Sequence, residues 1–403
     1  MSGIRVLHGF TFFRSLGGVE SMLRLHHRVD AVHGLDSTFC AYFEPRDIGI
    51  ERVFGMGLNA FSTIQTARRR FRSVPTSSAE TIVYHNFWGM AFFADLDRGS
   101  RRIGVLHTDT PGLASWLRQL SGLVDGALCV SRPLLELVRR ELPELGEDRT
   151  AWLPYPVARD RTEAAQPPMA SRPVVLGFAG RLSFEQKRVD RFPLLIEALD
   201  RLKVDFRFEF LGDGPQATWL IRRFEKDPRI KFHGRLSGSD YWEVLKSWDA
   251  IVFVSDYEGL PISLIEAMAV GVLPVVPSVG SGADPYVRNV REDLLYQPGK
   301  MDAAAAAIHA LTRAGHNEIQ QLRRRANSVI EPHLGDCYER TFARHVFHVA
   351  ALPRISRSTF KRATPHLRMF VPFGVLRRVW LGALWKPAAW TTGWTAESDT
   401  ASA

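Results

Sequence analysis

The sequence is short of cysteine. Its three, Cys40, Cys129 and Cys337, are scattered, and no pair has the close spacing of a metal site. So sparse and odd a count excludes a disulfide-built scaffold and fits a reducing compartment. Long apolar runs are also missing: no uninterrupted stretch is long enough to span a membrane. The opening Met1-Ser-Gly-Ile-Arg-Val-Leu-His8 runs straight into a strand pattern, without the apolar core of an export signal, so export is not expected. Acidic residues are absent from one region: between Arg340 and Ala396 there are ten Lys or Arg and no Asp or Glu. The net charge of +9 therefore belongs to the C-terminal end, and the rest of the chain is close to neutral. That distribution argues against a nucleic-acid groove running through the fold.

What is present is an ordinary globular mixture, 45% apolar and 24% charged, over 403 residues. That length fits two domains, each able to bury a core. The pattern is α/β: short apolar, β-branched strands alternate with helical periodicity, as in parallel sheets covered on both faces. We expect a first domain over residues 1–157, a linker over 158–172 containing Pro167-Pro168, and a second domain over 173–335. Residues 336–403 read as a C-terminal helix followed by a basic, Trp-rich tail whose end, after Thr395, is expected to be disordered.

The most informative stretch is Ala250 to Gly271. It reads as a buried strand over Ala250–Ser255, a turn over Asp256–Gly259, and a helix with Pro261 at its first position and Leu264, Ile265 and Met268 facing a core. Glu258 then lies on the loop at the strand's C-terminal end and Glu266 within the helix. The N–H groups of Gly259, Leu260 and Ile262 stand at a helix N-terminus, where partial positive charge suits a phosphate. Two acceptor-only carboxylates beside an anion site suit a ligand bearing hydroxyls and phosphates, such as a nucleotide sugar. The alternative is a turn Glu serving the helix dipole and a second Glu on a solvated face.

A second strand–turn–helix is Val174 to Leu182, then Glu185-Gln-Lys187 and a helix from about Val189. Arg181 and Lys187 flank that turn and could bracket a diphosphate, one as a planar fork and the other as a point charge. Phe206–Leu211, Ile230–Gly234 and Val272–Val276 read as further strands. A helix over Tyr241–Trp248 is expected, with Ser239 or Asp240 as its cap. In the first half, Ile4–His8 leads to Gly17-Gly18 and a helix; paired glycines there let the backbone approach a ligand. The strands Thr81–His85, Arg102–His107 and Gly126–Ser131 follow. Two end in histidine, which would put His85 and His107 at the ligand end of a parallel sheet. Asp95 and Asp97 have the spacing of a metal pair but sit in a charged stretch and read as solvated surface.

Gly180-Arg181, Gln186-Lys187-Arg-Val-Asp190, Leu211-Gly-Asp-Gly214, and Glu258-Gly-Leu-Pro with Glu266-Ala-Met-Ala-Val-Gly271 resemble the retaining glycosyltransferases of family 4. The likeness is ordered from about Val174 to Gly299 and weaker in the first half, where Gly17-Gly18-Val-Glu20 and His107 carry it. It implies the GT-B fold, two Rossmann-like domains facing across a cleft. It also implies site roles. Arg181 and Lys187 would hold a donor diphosphate, Glu266 the ribose hydroxyls, and Glu258 the donor sugar, with Gly259 and Leu260 adding backbone contacts. Gly17 and Gly18 would approach the phosphate from the first domain, His107 would touch sugar or acceptor, and Arg235 and Leu236 would meet the base.

The implied activity is transfer of a sugar from a UDP- or GDP-sugar to a glycan or lipid-linked acceptor, in polysaccharide or glycolipid synthesis, with no metal and no further cofactor. The rivals are a same-fold epimerase, a phosphorylase, which would need a pyridoxal-binding lysine, and an inactive nucleotide-sugar-binding subunit. Gly280-Ser-Gly-Ala-Asp284 departs from the family's usual Gly-Gly with a downstream Glu, so the donor sugar's contacts are in question. The expected location is cytoplasmic. Arg377, Arg378, Trp385, Trp390 and Trp394 fit either an anionic membrane surface or a terminal segment packed on the first domain.

Overall fold

The computed structural model describes residues 3–14, 17–74, 79–96, 99–157, 169–355 and 370–375. The linker from 158 to 168, Asp97, and the tail residues Arg377, Arg378, Trp385, Trp390 and Trp394, with the end after Thr395, lie outside the described residues. The chain divides into two compact units: one gathers Met1–Pro154 and the described residues from Asp336 on, the other is Tyr155–Gly335.

The first unit runs β1 (Ile4–Phe10), α1 (Gly18–Val29), β2 (Leu35–Ala41), β3 (Val53–Gly55), α2 (Ile64–Phe71), β4 (Thr81–His85), α3 (Met90–Phe93), β5 (Arg101–Leu106), α4 (Leu113–Gln119), β6 (Gly126–Cys129), α5 (Arg132–Glu141) and β7 (Thr150–Trp152). Its strands form one parallel sheet in the order β3-β2-β1-β4-β5-β6-β7. Every residue of β4 and β6 is buried, as expected of strands covered on both faces.

The second unit runs β8 (Val174–Ala179), α6 (Phe192–Arg201), β9 (Phe206–Leu211), α7 (Ala217–Phe224), β10 (Ile230–Gly234), α8 (Gly238–Lys246), β11 (Ala250–Val252), α9 (Ile262–Ala269), β12 (Leu273–Pro277), α10 (Asp284–Val290), β13 (Leu295–Tyr296), α11 (Met301–Arg313) and α12 (His316–Val329). Its parallel sheet has the order β10-β9-β8-β11-β12-β13. Phe178, Phe192, Phe208 and Phe210 pack edge-on and tilted in its core.

The order of each sheet reverses direction at one place, between β1 and β4 in the first unit and between β8 and β11 in the second. In open parallel sheets, ligands bind beyond the carboxyl ends of the strands at such a switch point. The residues that follow β8 and β11 therefore occupy the favoured position in the second unit.

A last helix, α13 (Cys337–Ala351), packs within the first unit, where the Tyr338 hydroxyl meets His26 Nε2 at 2.9 Å. Residues 370–375 lie on the same unit: Phe373 N donates to Ser62 O at 2.9 Å and Gly374 N to Ala60 O at 2.7 Å. At this short stretch the terminal segment is packed on the first unit. No helix of the described residues is long and apolar enough to cross a membrane.

Several boundaries differ from expectation. The helix expected over Tyr241–Trp248 starts at Gly238, with Ser237 in the cap position, and ends at Lys246. Trp248 has left it and is fully buried in the core. A Cβ on Gly177 would overlap the Trp248 ring, so the glycine in β8 makes room for the indole. The strand expected over Ala250–Ser255 pairs regularly only to Val252, and Ser255 begins the loop. Pro261 precedes α9 as its cap rather than opening it. Asp95 is not a solvated surface acid: its side chain is 15% exposed and forms a two-pronged pair with Arg68.

Candidate functional site

Two loops at the second unit's switch point are locked together. Asp256 N, after β11, donates to Gln186 O, after β8, at 3.0 Å. Gln186 Nε2 donates to Tyr257 O at 3.2 Å. Arg188 bridges Asp190 at 2.8 Å and Asp256 at 2.7 Å, and Arg191 adds a second pair to Asp256. Arg188 sits in the left-handed backbone region at φ 50°, unusual for a residue with a side chain, and its two carboxylate partners hold it there.

Within this frame Glu258 is 4% exposed and accepts three hydrogen bonds: from Lys187 Nζ at 2.6 Å, Ser255 Oγ at 2.7 Å and Gln186 Nε2 at 3.3 Å. Lys187 also stands 5.7 Å over the Phe253 ring. The sequence placed Lys187 and Glu258 in one region with separate tasks. The structure joins them in one ion pair at the strand ends. Arg181 is on the same loop as Lys187 and half-buried, and among the described residues nothing accepts a hydrogen bond from it. Burial raises the Tyr257 phenol above its ordinary range, the Glu258 charge adds to that, and the Arg181 charge opposes it.

Gly259 and Leu260 are buried and lead into α9, whose first-turn N–H groups face its N-terminus. Gly259 O accepts from Gly282 N at 2.7 Å, which ties this turn to the loop after β12. In that loop the Asp284 carboxylate accepts from Ser278 Oγ, Gly280 N, Ser281 N and Ser281 Oγ at 2.8–3.2 Å. Asp284 thus serves as an internal clasp, and the departure seen in the sequence has a structural purpose.

Glu266 is half-buried on α9, and its Oε2 accepts a hydrogen bond from the Tyr241 hydroxyl. Burial raises the Glu266 carboxyl, and the Tyr241 bond offsets part of that rise. Tyr241 was missed in the sequence: it lies 25 residues from its partner, on another helix, and only the fold brings them together. Arg235 is exposed and pairs with Asp213 at 3.0 Å, across the ends of β9 and β10, and Leu236 beside it is half-buried.

In the first unit, Gly17 is the extended cap residue of α1 and Gly18 its first residue. A Cβ on Gly17 would overlap the carboxylate of Glu20, which folds back on the helix start as the acidic member of a capping box does. His85 and His107 are at the ends of their strands, and both are buried, at 2% and 3% exposure. His107 Nε2 lies 2.9 Å from His85 Nδ1, and His107 N donates to Asn86 Oδ1 at 2.8 Å. Among the described residues, His8, His26 and Asp30 bring three ligand-type atoms within 4.8 Å of one another. All three are buried in the first unit.

Residues 173–314 match the family described as glycosyl transferases group 1. The lipopolysaccharide 1,6-galactosyltransferase of Salmonella typhimurium is 29% identical over 150 residues, 35% of this chain and 40% of that protein. A GDP-mannose-dependent alpha-mannosyltransferase of Mycolicibacterium smegmatis is 28% identical over 234 residues, 53% of this chain and 59% of that protein. The matches to the first relatives found span 36–50% of those proteins' lengths. Among solved structures, the pneumococcal O-GlcNAc transferase GtfA with UDP and GlcNAc superposes with a TM-score of 0.68 at 12% identity, over 87% of this chain and 100% of that one. The lipopolysaccharide outer core galactosyltransferase WaaB gives 0.62 at 18% identity, over 85% and 99%. At such identities the superpositions speak for the fold alone. Residues 173–314 match the glycosyl transferases group 1 family, and the chain's two parallel-sheet α/β units have the GT-B fold.

Proposed function

We propose that the protein is a retaining glycosyltransferase that moves a sugar from a UDP- or GDP-sugar to a glycan or lipid-linked acceptor in cell-surface polysaccharide or glycolipid synthesis. The observation that carries this reading is the buried Lys187–Glu258 pair, on interlocked loops at the second unit's switch point, with Arg181 and the α9 N-terminus on the same two loops. Sugar transfer breaks the anomeric carbon–oxygen bond and puts negative charge on the departing nucleoside diphosphate. Stabilising that charge is a large term in such a reaction, and Arg181, Lys187 and the first turn of α9 are suited to it. Glu266 accepts hydrogen bonds from the ribose hydroxyls. Glu258, held by Lys187, Ser255 and Gln186, presents a fixed carboxylate to the donor sugar. The acceptor oxygen takes the anomeric carbon, and its proton passes to the leaving phosphate. The residues supply the charge stabilisation without a resident metal in the scheme.

Product analysis tests the reading. Incubation with a nucleotide sugar and a glycan acceptor yields free nucleoside diphosphate and a new glycoside in equal amounts. Glu258→Gln keeps the shape of the side chain and abolishes transfer while nucleotide binding persists. Epimerised nucleotide sugar without net transfer, or unchanged turnover in Glu258→Gln, refutes the proposal. The basic tail, on composition, suits an anionic membrane surface at the inner face of the cell membrane. Truncation before Met369 then releases the protein from anionic vesicles, and equal co-sedimentation refutes that assignment.

A further inference from the structure

The buried histidines of the first unit form one continuous hydrogen-bonded line. His26 Nδ1 lies 2.8 Å from Asp30 Oδ1, and Asp30 Oδ2 lies 3.1 Å from His8 Nε2. His8 Nδ1 is 3.1 Å from His85 Nε2, and His85 Nδ1 is 2.9 Å from His107 Nε2. The Ser37 hydroxyl also donates to Asp30.

The line follows from strand register. His8 on β1 is level with Val83 on β4, so His85 stands two residues further along. His85 is level with Val105 on β5, so His107 again stands two residues further. Steps of two keep the three side chains on one face of the sheet and carry them diagonally to its ligand end. Phe39 and Phe342 stack on His8 with centroids at 4.8 Å and 5.6 Å, and Phe342 lies 4.2 Å from His26, so aromatic rings flank the inner end of the line.

Each imidazole can carry its proton on either nitrogen, and in a line the choices are coupled. Asp30 is ionised: burial pushes its carboxyl up, but the His26 charge and the hydrogen bonds from His26 and His8 outweigh this and hold it below the usual range. A carboxylate only accepts, so His8 Nε2 must carry a proton. Burial keeps His8, His85 and His107 below the ordinary imidazole range, with His107 down to about 3, so all three are neutral. His8 Nδ1 is then an acceptor, and His85 Nε2 must donate to it. His85 Nδ1 is then an acceptor in turn, and His107 Nε2 must donate.

We infer that Asp30, acting through His8 and His85, fixes the tautomer of His107 with its proton on Nε2 and a lone pair on Nδ1, which makes His8, His85 and Asp30 positioning residues for a neutral, hydrogen-bond-accepting His107. That His107 meets a hydroxyl-bearing sugar rests on the function proposed above; the state of its ring does not. The opposite polarity needs an extra proton on His8 or a protonated Asp30. A metal ion on His8, His26 and Asp30 would replace the ring protons that face the carboxylate.

The test is long-range proton–nitrogen NMR on the full chain labelled with 15N-histidine, with His107 assigned by comparison with His107→Asn. His8, His85 and His107 should each show a single Nε2–H tautomer. A proton on Nδ1 of His107, a doubly protonated His8, or loss of the ring N–H of His8 with one equivalent of bound metal would overturn the inference. His8→Phe suits the aromatic surroundings and cuts the line; His107 should then populate both tautomers, and an unaltered single tautomer would also overturn it. In the same variant kcat should fall roughly tenfold, the worth of about one hydrogen bond, while nucleoside diphosphate affinity stays unchanged. If the spectra agree but no sugar is transferred by the wild type, the functional proposal fails and the inference stands.

Discussion

Replacing Lys187 by Met keeps much of the side chain's volume and deletes its charge. In the folded chain the Lys187 and Glu258 side chains are 14% and 4% exposed and 2.6 Å apart. Removing one partner of a buried pair costs about 3–5 kcal/mol, because the other is left as an uncompensated charge. Ser255 and Gln186 remain as donors to Glu258, which points to the lower end, about 3 kcal/mol. For a domain of this size each kcal/mol moves the melting temperature by about 2–4 °C, so Lys187→Met should melt about 6–12 °C below wild type. Adding Glu258→Gln removes the stranded charge and should recover part of that loss, a coupling that a double-mutant cycle measures directly. A Lys187→Met protein that melts within about 2 °C of wild type refutes the view that these side chains form one buried unit.

Acidification gives a second test. Burial lowers the imidazoles of His107, to about 3, and of His333 and His345, to about 4. These rings stay neutral when folded and take up protons when unfolded, so stability is full above about pH 6.5 and falls below it until the folded values are reached. The loss approaches about 1.4 kcal/mol per histidine per pH unit, and a melting temperature that is flat between pH 6.5 and 4.5 contradicts it. Tyr241→Phe removes the hydroxyl that Glu266 accepts; stability should drop by about 1–3 kcal/mol, measured by urea unfolding, and no change means the bond is not made. Transfer should persist in excess EDTA, since the proposed scheme has Arg181 and Lys187 meet the charge on the leaving group; activity abolished by EDTA and restored by a divalent cation contradicts that.

The second unit's candidate site was legible as a cluster of neighbours because it is local. Arg181 and Lys187 lie within one strand–turn–helix, Glu258 and Glu266 within another, and strand ends on one parallel sheet converge whatever the details of packing. The pairing of Lys187 with Glu258 was not legible, since it depends on how two loops 71 residues apart interlock. Tyr241 escaped for the same reason, while the Asp284 clasp is local, within six residues, but lies in a loop that carries no periodic signal. In the first unit, β2 reads Leu35-Asp-Ser-Thr-Phe-Cys-Ala41, too mixed to stand out, and β3 there and β13 in the second unit are short edge strands with little periodicity. The histidine line joins residues 8, 26, 85 and 107 through Asp30, and only strand register shows that three of them share a face. Histidines ending two later strands were a visible hint; His8, read as the end of the first strand, lies inside β1, which runs on to Phe10.

The central claim is that the switch-point loops of the second unit hold a nucleoside diphosphate by its phosphates. Titration calorimetry of the nucleoside diphosphate and of the matching free nucleoside, against wild type and Arg181→Ala, tests it most directly. Loss of a charge-assisted contact of about 1.5–3 kcal/mol predicts a fall in diphosphate affinity of roughly tenfold to a hundredfold, with nucleoside affinity unaltered. Equal loss for both ligands, or no loss for either, contradicts the account.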